Sequence, residues 1–424
     1  MQAETLILRG GRVVCPLNNI DEVMDVVVQN GRVVSLGSTA EEGRVIDCSG
    51  CVVAPGFTDI GAELGDPGYL WREDLISGSE AGAAGGFTSI VSSPKTDPVV
   101  DTPVAVAELV SRSFELSGAR VLVSGAITTG LDGEHLAELG LMVESGAVAL
   151  SDGRTTMMHT GLLRRALDYA RPFGVPVILR PGDTELEGSG VMHEGEVSTQ
   201  IGLRGIPAAA EEIGVARLIA LSALTGCRLH LSQITTAGSV KQIRAAKEDG
   251  VRVTAAVPAR HLIMTDRAVD QSVYDTSTRL LPPLRSESDR LACVAGVKDG
   301  VIDCVTADHV PLTRIEKEVE YMYATPGAMG LETAFSATLE GLGGDLISTV
   351  RALSVAPANV IGKRAALEAD AAADLVVFDP SVSISVEGPF RSRGLNEPLK
   401  GRVLPGKIVM TIRDGCIIYG PKRD

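Results

Sequence analysis

The chain has 424 residues, of which 45% are hydrophobic and 22% charged, and its net charge is −15. That length allows one large domain or two smaller ones, and the acidic balance argues against nucleic acid or an anionic membrane as a partner. No apolar run approaches the ~20 residues that span a bilayer and no basic, apolar leader opens the chain, so we expect a cytoplasmic protein.

The two ends of the chain have the pattern of short β-strands. Near the N-terminus, apolar runs flank Asn30-Gly31, a dipeptide typical of a tight hairpin turn. The C-terminal region repeats this pattern around Asp414-Gly415. We therefore predict that residues 1–53 and 363–424 pair as one small β-sandwich.

The middle of the chain, residues 54–362, alternates short apolar runs with segments of helical period. Helices are predicted at 161–173, 208–224, 238–248 and 286–298. Eight strands are predicted between the helical segments, near 52–58, 88–92, 120–126, 147–150, 175–179, 228–232, 252–257 and 302–306. Eight strands separated by helices favour a (β/α)₈ barrel over an open sheet.

Polar residues follow nearly all of these predicted strands. In barrels of this kind, chemistry is located at the carboxyl ends of the strands, so these side chains should surround one pocket mouth. They are Glu63, Lys95, Asp152, Arg180, Gln233, Arg260, His261, Asp308 and His309.

Several motifs resemble those of the dihydroorotases, which are cyclic amidohydrolases. The segment 55–68 reads PGFTDIGAELGDPG and has the frame of that family's first motif. Further matching stretches follow in the family's order and span nearly the whole chain, among them 78–88, 202–207, 236–240, 282–287 and 330–335. The resemblance implies the barrel fold and a flanking domain built from both termini.

The departures from the family pattern fall on its chemistry. Where the family has a metal-binding His-x-His followed by a substrate-binding Arg, this chain has Gly61, Glu63 and Gly65. Asp59, Asp308 and His309 are retained, and in the family Asp308 would bind metal and act as general base. Asp152 stands in a shortened motif and could match either of two family aspartates. The other positions that differ from the family's ligand and substrate residues are Lys95, Arg180, Gln233, Arg260, Ser277 and Leu312, and His261 stands after Arg260 where the family has the second His of Thr-Pro-His-His.

These differences predict a degenerate metal site without a cofactor. Without metal, Asp308 would face ordinary water, whose pKa is far above neutral, whereas metal coordination lowers the pKa of water to ~7. We expect Arg180 to replace the lost positive charge by pairing with Asp308 or Asp152. An alternative is a rebuilt site in which Glu63, Asp152 and Asp308 supply oxygen ligands, a set that suits Mg²⁺ or Ca²⁺.

The leading interpretation is a non-catalytic dihydroorotase homologue. The resemblance implies that such a protein associates with aspartate transcarbamoylase catalytic chains, and with itself, as a structural subunit in pyrimidine biosynthesis. The alternative is an active cyclic amidohydrolase with a rebuilt or mononuclear site at Asp308, for which zinc would be the cofactor. A third possibility is a protein that binds a small anion through Lys95, Arg180 and Arg260.

Overall fold

The computed structural model describes residues 5–37, 42–269 and 274–421. Its larger part is a barrel of eight parallel strands, hydrogen-bonded in chain order. Nearly all strand residues are buried, as expected for strands covered on both faces. The barrel strands are β6 (Phe57–Ala62), β7 (Phe87–Ser92), β8 (Arg120–Gly125), β9 (Ala149–Ser151), β10 (Val177–Leu179), β13 (Leu229–Leu231), β14 (Val253–Pro258) and β15 (Cys304–Thr306).

The last seam of the barrel, between β15 and β6, is joined by a side chain. Asp59 Oδ1 accepts a hydrogen bond of 2.6 Å from the backbone N–H of Ala307. The N–H of Glu63 donates to the carbonyl of His309 at 2.9 Å. Asp59 Oδ1 therefore bridges the seam, while Oδ2 is buried without a hydrogen-bond partner among the described residues.

Helices connect the strands and cover the outside of the barrel. Several begin at a side-chain cap, including Asp74, Thr102, Thr236 and Ser286, whose oxygens accept from the first turn. The helices are α1 (Leu75–Ala84), α2 (Pro103–Ser113), α3 (Leu139–Glu144), α4 (Thr160–Ala170), α5 (Thr184–Glu187), α6 (Glu196–Ile201), α7 (Ala208–Thr225), α8 (Ala237–Glu248), α9 (Glu287–Lys298), α10 (Arg314–Lys317), α11 (Ala334–Gly341), α12 (Leu346–Val350) and α13 (Ala356–Val360). A two-stranded ladder, β11 (Met192–His193) with β12 (Gly205–Ile206), lies in the connection between α5 and α7.

The two termini build a second, mostly antiparallel sheet of eight strands with its own apolar core. Strand β5 pairs with β1 on one side and β16 on the other, and thereby joins the two ends of the chain. The strands are β1 (Leu6–Cys15), β2 (Ile20–Gln29), β3 (Arg32–Leu36), β4 (Arg44–Asp47), β5 (Val52–Pro55), β16 (Leu375–Ser385), β17 (Val403–Arg413) and β18 (Cys416–Tyr419).

The predicted strand at 52–58 is in fact two strands that belong to different sheets. They separate at Gly56, whose N–H donates to the carbonyl of Asp374 at 2.9 Å. A Cβ at this position would lie 2.2 Å from Thr88 Cγ2, so the close approach requires glycine. The terminal sheet thus runs to Pro55, two residues beyond the predicted boundary.

Across the described residues, none of the helices combines the length and the hydropathy needed to cross a bilayer.

Candidate functional site

The residues predicted from the strand ends do lie just after barrel strands. Glu63 follows β6, and Asp308 and His309 follow β15, beside it across the seam. Five further strands are followed by predicted residues: β7 by Lys95, β9 by Asp152, β10 by Arg180, β13 by Gln233, and β14 by Arg260 and His261. Their side chains nevertheless do not all point to one centre, and the contacts below separate them.

Asp308 is at the centre of the barrel mouth, and both its carboxylate oxygens accept from side chains. Arg154 Nη1 lies 2.5 Å from Oδ1, which also accepts from the Gln233 amide. Arg260 Nη1 lies 3.1 Å from Oδ2. Asp308, Gln233 and Arg260 are buried, and Arg154 is nearly so. Two guanidinium groups therefore share one carboxylate in a place of low solvent access.

Arg260 also holds the backbone beneath the carboxylate. Its Nη2 donates to the carbonyl oxygens of Ala307 at 2.8 Å and Met329 at 3.1 Å. Burial lowers the pKa of the guanidinium, and the neighbouring Asp308 opposes that shift. An arginine remains protonated in proteins, so this group is a permanent buried cation.

The backbone is strained at two of these positions. Asp308 has a φ of +45° and Gln233 a φ of +59°, both in the left-handed region that side chains with a Cβ disfavour. Such conformations persist where surrounding contacts over-determine them, and they concentrate at functional sites. Here the hydrogen bond between these two side chains supplies such a contact.

Arg180 does not take the role predicted for it. Its guanidinium pairs with Glu187, with Nη1 2.7 Å from Oε1, and contacts neither Asp308 nor Asp152. Its Nε donates to the backbone carbonyl of Arg154 at 2.9 Å. The charge expected from Arg180 is instead supplied by Arg154 and Arg260, and Arg180 positions Arg154.

The alternative oxygen site predicted from Glu63, Asp152 and Asp308 is not assembled in this structure. The Asp152 carboxylate accepts from Ile127 N at 2.8 Å and from Thr128 N and Oγ1 at 3.0 and 2.6 Å. Burial raises its pKa while these hydrogen bonds oppose the rise. Glu63 faces Lys95, whose Nζ is 3.7 Å from Oε1. The three carboxylates therefore have separate partners and do not converge.

His309 is likewise committed to structural contacts. Its Nδ1 accepts from the N–H of Gly330 at 3.1 Å, which assigns the ring proton to Nε2. Nε2 lies 3.2 Å from Glu73, and both residues are fully buried. Neither ring nitrogen is left for a metal or a substrate.

The remaining predicted residues lie outside this cluster of contacts. His261 Nε2 donates to the carbonyl of Pro283 at 3.2 Å, and burial lowers the pKa of the imidazole to about 4. Ser277 donates its N–H to Asp275 in a short helical turn, and buried Leu312 donates its N–H to Asn396. A Cβ at Gly65 would meet the carbonyl of Glu73 at 2.7 Å, so the family's arginine could not be accommodated there without a backbone shift.

The space left at the mouth is small. The cavity has a volume of about 40 Å³, and Gly61, Arg154, Gln233 and Asp308 are among the residues that line it. One water in the liquid occupies roughly 30 Å³, whereas small-molecule pockets occupy roughly 300–1,000 Å³. The cavity therefore admits a few water molecules and no ring substrate.

Arg154 is the central residue that the sequence analysis missed. It follows the shortened motif Ser151-Asp152-Gly153, and attention to the motif's aspartates left the next residue unconsidered. The sequence did contain a signal: a basic residue directly follows a motif that has lost an acidic residue. Each of the three residues of the predicted cationic pocket, Lys95, Arg180 and Arg260, has a carboxylate partner, and Arg260 shares its partner Asp308 with Arg154.

The donor set does not fit a divalent cation. Among the described residues, no group of three or more His, Cys, Asp or Glu side chains is arranged to hold one. The two arginines nearest Asp308 offer no lone pair toward a metal. A divalent cation beside Arg154 and Arg260 would moreover be repelled by both.

Comparison with solved structures identifies the class. L-Hydantoinase (dihydropyrimidinase) from Arthrobacter aurescens superimposes with a TM-score of 0.87 over 98% of this chain and 96% of its own, at 22% identity. Dihydropyrimidinase from Brevibacillus agri gives 0.83 over 98% and 95%, also at 22%. The fold is that of the barrel amidohydrolases with a terminal sheet.

Comparison of sequences identifies the family. The dihydro-orotase-like family model matches residues 50–239. A dihydroorotase from Anaeromyxobacter sp. (strain K) is 43% identical over 98% of both chains, and one from Pelotomaculum thermopropionicum is 43% identical over 97% of this chain and 98% of its own. The chain belongs to the dihydroorotase family.

Proposed function

We propose that this chain is a non-catalytic dihydroorotase homologue that acts in the cytoplasm as a structural subunit for aspartate transcarbamoylase in pyrimidine biosynthesis. The observation that carries the proposal is the state of Asp308. Its two oxygens accept from Arg154, Gln233 and Arg260, so donors occupy three of its roughly four lone-pair positions and a substrate or metal would have to displace them. The small cavity beside it gives a ring substrate no room.

The preserved parts of the chain support the structural half of the proposal. The barrel seam, the helix caps and the terminal sheet are all intact, and the differences from the family lie at the mouth. A subunit that serves assembly needs its fold and its surface but not its site. The resemblance to inactive homologues suggests aspartate transcarbamoylase as the partner.

An active cyclic amidohydrolase is the second candidate. It is favoured by the relatives named dihydroorotase, which are 43% identical over almost the whole chain. Such activity would require Arg154 and Arg260 to leave Asp308 and the mouth to widen. The two candidates therefore predict opposite results in one assay.

We expect the purified protein to hold well under one metal ion per chain after growth in zinc-supplemented medium, and to open the dihydroorotate ring no faster than buffer. The reason is the guanidinium groups that surround Asp308. Metal content by mass spectrometry and ring opening should be measured on the same sample. Near-stoichiometric zinc with turnover that Asp308→Asn abolishes would establish the enzyme instead.

We also expect a complex of defined mass with aspartate transcarbamoylase catalytic chains from the same organism. Sedimentation of the two purified proteins, alone and mixed at micromolar concentration, tests this. Lys95→Ala alters a half-exposed lysine at the mouth and should assemble as the wild type does. Independent sedimentation of the two proteins in the mixture would contradict the assembly role.

A further inference from the structure

A large cleft lies between the terminal sheet and the outside of the barrel. Its volume is about 740 Å³, within the roughly 300–1,000 Å³ of small-molecule pockets, which often lie between domains. The cavity at the barrel mouth has about 40 Å³ and shares no described lining residue with this cleft. We call this space the sheet cleft, and its walls include Arg44, Glu80, Ser117, Arg391 and the stretch 414–421.

Contacts between the sheet and the barrel hold the two walls of the sheet cleft together. Arg413 Nη2 donates to the carbonyl of Leu116 at 2.9 Å, beside the lining residue Ser117. Arg120 Nη2 lies 2.6 Å from Oδ2 of Asp414, which is itself a lining residue. These contacts form without a ligand, so the sheet cleft is preformed and binding does not have to order its walls.

The charges of the sheet cleft indicate an anionic ligand. Arg44 and Arg391 line the cleft, and neither forms an ion pair with another described residue. The lining carboxylate of Asp414 is already paired with Arg120. Among the described lining residues this leaves two unpaired cations against one unpaired carboxylate, Glu80, in a chain whose net charge is −15. Arginine is the side chain best suited to a phosphate, which its planar group can bind through two parallel N–H groups.

The other lining residues suit a flat ring and hydroxyl groups. Tyr419, at the end of β18, offers an aromatic face, and Ile418 adds apolar surface. Aromatic side chains bind the flat face of a base by stacking, whichever base it is. Glu80 accepts hydrogen bonds only, so it favours a ligand with O–H or N–H donors, and Asn30 and Ser117 can donate as well as accept. A phosphate, a sugar with hydroxyl groups and a base together match this lining.

We propose that the sheet cleft binds a nucleoside monophosphate, with its phosphate on Arg44 and Arg391, its base on Tyr419 and its sugar hydroxyl groups toward Glu80. Inorganic phosphate alone would leave the ring and the carboxylate without a partner. A neutral nucleoside would leave both arginines without a counter-charge. The nucleotide is the smallest common ligand that meets all of these groups, and it binds on the outside of the barrel, away from Asp308.

Cys416 reports on the sheet cleft directly, because it is an exposed free thiol of the lining. Cys51 is a half-buried free thiol that is not among the described lining residues, so it is the internal control. The full chain is treated with iodoacetamide in the presence of millimolar UMP, AMP, uridine or inorganic phosphate, and mass spectrometry gives the labelling rate of each thiol. We expect at least one of the two nucleotides to slow labelling of Cys416 fivefold or more and to leave Cys51 unchanged.

Two arginine variants test which groups hold the nucleotide. Arg44→Ala and Arg391→Ala should each raise its dissociation constant tenfold or more, measured by titrating the protection of Cys416. Both arginines are at least partly exposed, so both variants should fold, and circular dichroism melts check this. Arg165→Ala, which changes an exposed arginine on α4, should leave the dissociation constant unchanged.

The proposal is overturned if neither nucleotide protects Cys416, or if neither arginine variant weakens the protection. Equal protection by inorganic phosphate alone would make the sheet cleft a phosphate site, and equal protection by uridine would remove the role of the arginines. Either result overturns the nucleotide assignment. The test uses neither ring opening nor assembly with aspartate transcarbamoylase, so its failure is distinct from that of the proposed function.

Discussion

Arg260→Met should destabilise the protein by about 1–3 kcal/mol for each buried acceptor left without its donor, while Arg154 still compensates the charge of Asp308. Methionine has a similar reach but no N–H groups, so Asp308 Oδ2 and the carbonyls of Ala307 and Met329 would lose their donor together. All of these groups are buried, so water does not replace the lost bonds. Urea unfolding of variant and wild type at pH 7.5 measures the loss.

Arg244→Met is the matched control, because Arg244 pairs with Asp299 at the surface, with both side chains about half exposed. Exposed pairs of this kind contribute about 0.2–1 kcal/mol. If Arg260→Met costs no more than this control, Arg260 is not the counter-charge that holds the mouth. Removing Asp308 as well, by Asp308→Asn, should cost less than the sum of the two single changes, because the two side chains share one interaction.

The barrel and the terminal sheet could be predicted from the sequence because their signals are local and repeated. Buried parallel strands read as short apolar runs, and the helices between them have a clear period. The split at Gly56 could not be predicted in this way, because the run of apolar residues continues through it. What separates the two strands there is the distance to Thr88, a residue of the next strand.

The sequence predicts where the residues of the site lie, but not which side chains form ion pairs with each other. Strand ends give the positions of Gln233, Arg260 and Asp308, because the carboxyl ends of parallel strands meet at one face. Which cation reaches Asp308 depends on side-chain length and on loop shape, and neither follows from spacing. Arg180 turns to Glu187, and Arg154 turns inward to Asp308.

The mouth has the chemistry of a polar core. Asp59 closes the barrel seam and is fully buried, and burial raises its pKa to about 6. Glu73 and His309 pair beneath the loop after β6. In each case the polar group binds backbone or a neighbouring side chain. Residues retained from the family frame thus stabilise the fold, which explains why they remain although the ligand positions have changed.

Between pH 7.5 and 4.5, His230→Asn should lose about 3 kcal/mol less free energy of unfolding than the wild type. His230 lies on β13, fully buried, with Nδ1 2.9 Å from Thr254 Oγ1. Burial is the main cause that lowers its pKa to about 3, and Lys247 contributes. Below the unfolded value of 6.5 the unfolded chain binds a proton that the folded chain excludes, so stability falls as pH falls from 6.5 toward 3. Each pH unit between these two pKa values changes the free energy of unfolding by about 1.4 kcal/mol.

The difference between variant and wild type isolates this effect from other buried groups. Asp59 and Glu332 act in the opposite direction, because their pKa values are raised to about 6 and about 7 and their folded forms gain protons first. Both are present in the two proteins and cancel in the difference. Asparagine keeps a donor for Thr254, so the variant should fold, and unfolding free energies at pH 7.5, 6.5, 5.5 and 4.5 give the slope. His135→Asn, which removes a fully exposed histidine, should retain the wild-type loss in acid. A His230→Asn curve parallel to that of the wild type would mean that His230 is protonated in the folded protein and that water reaches the space behind β13.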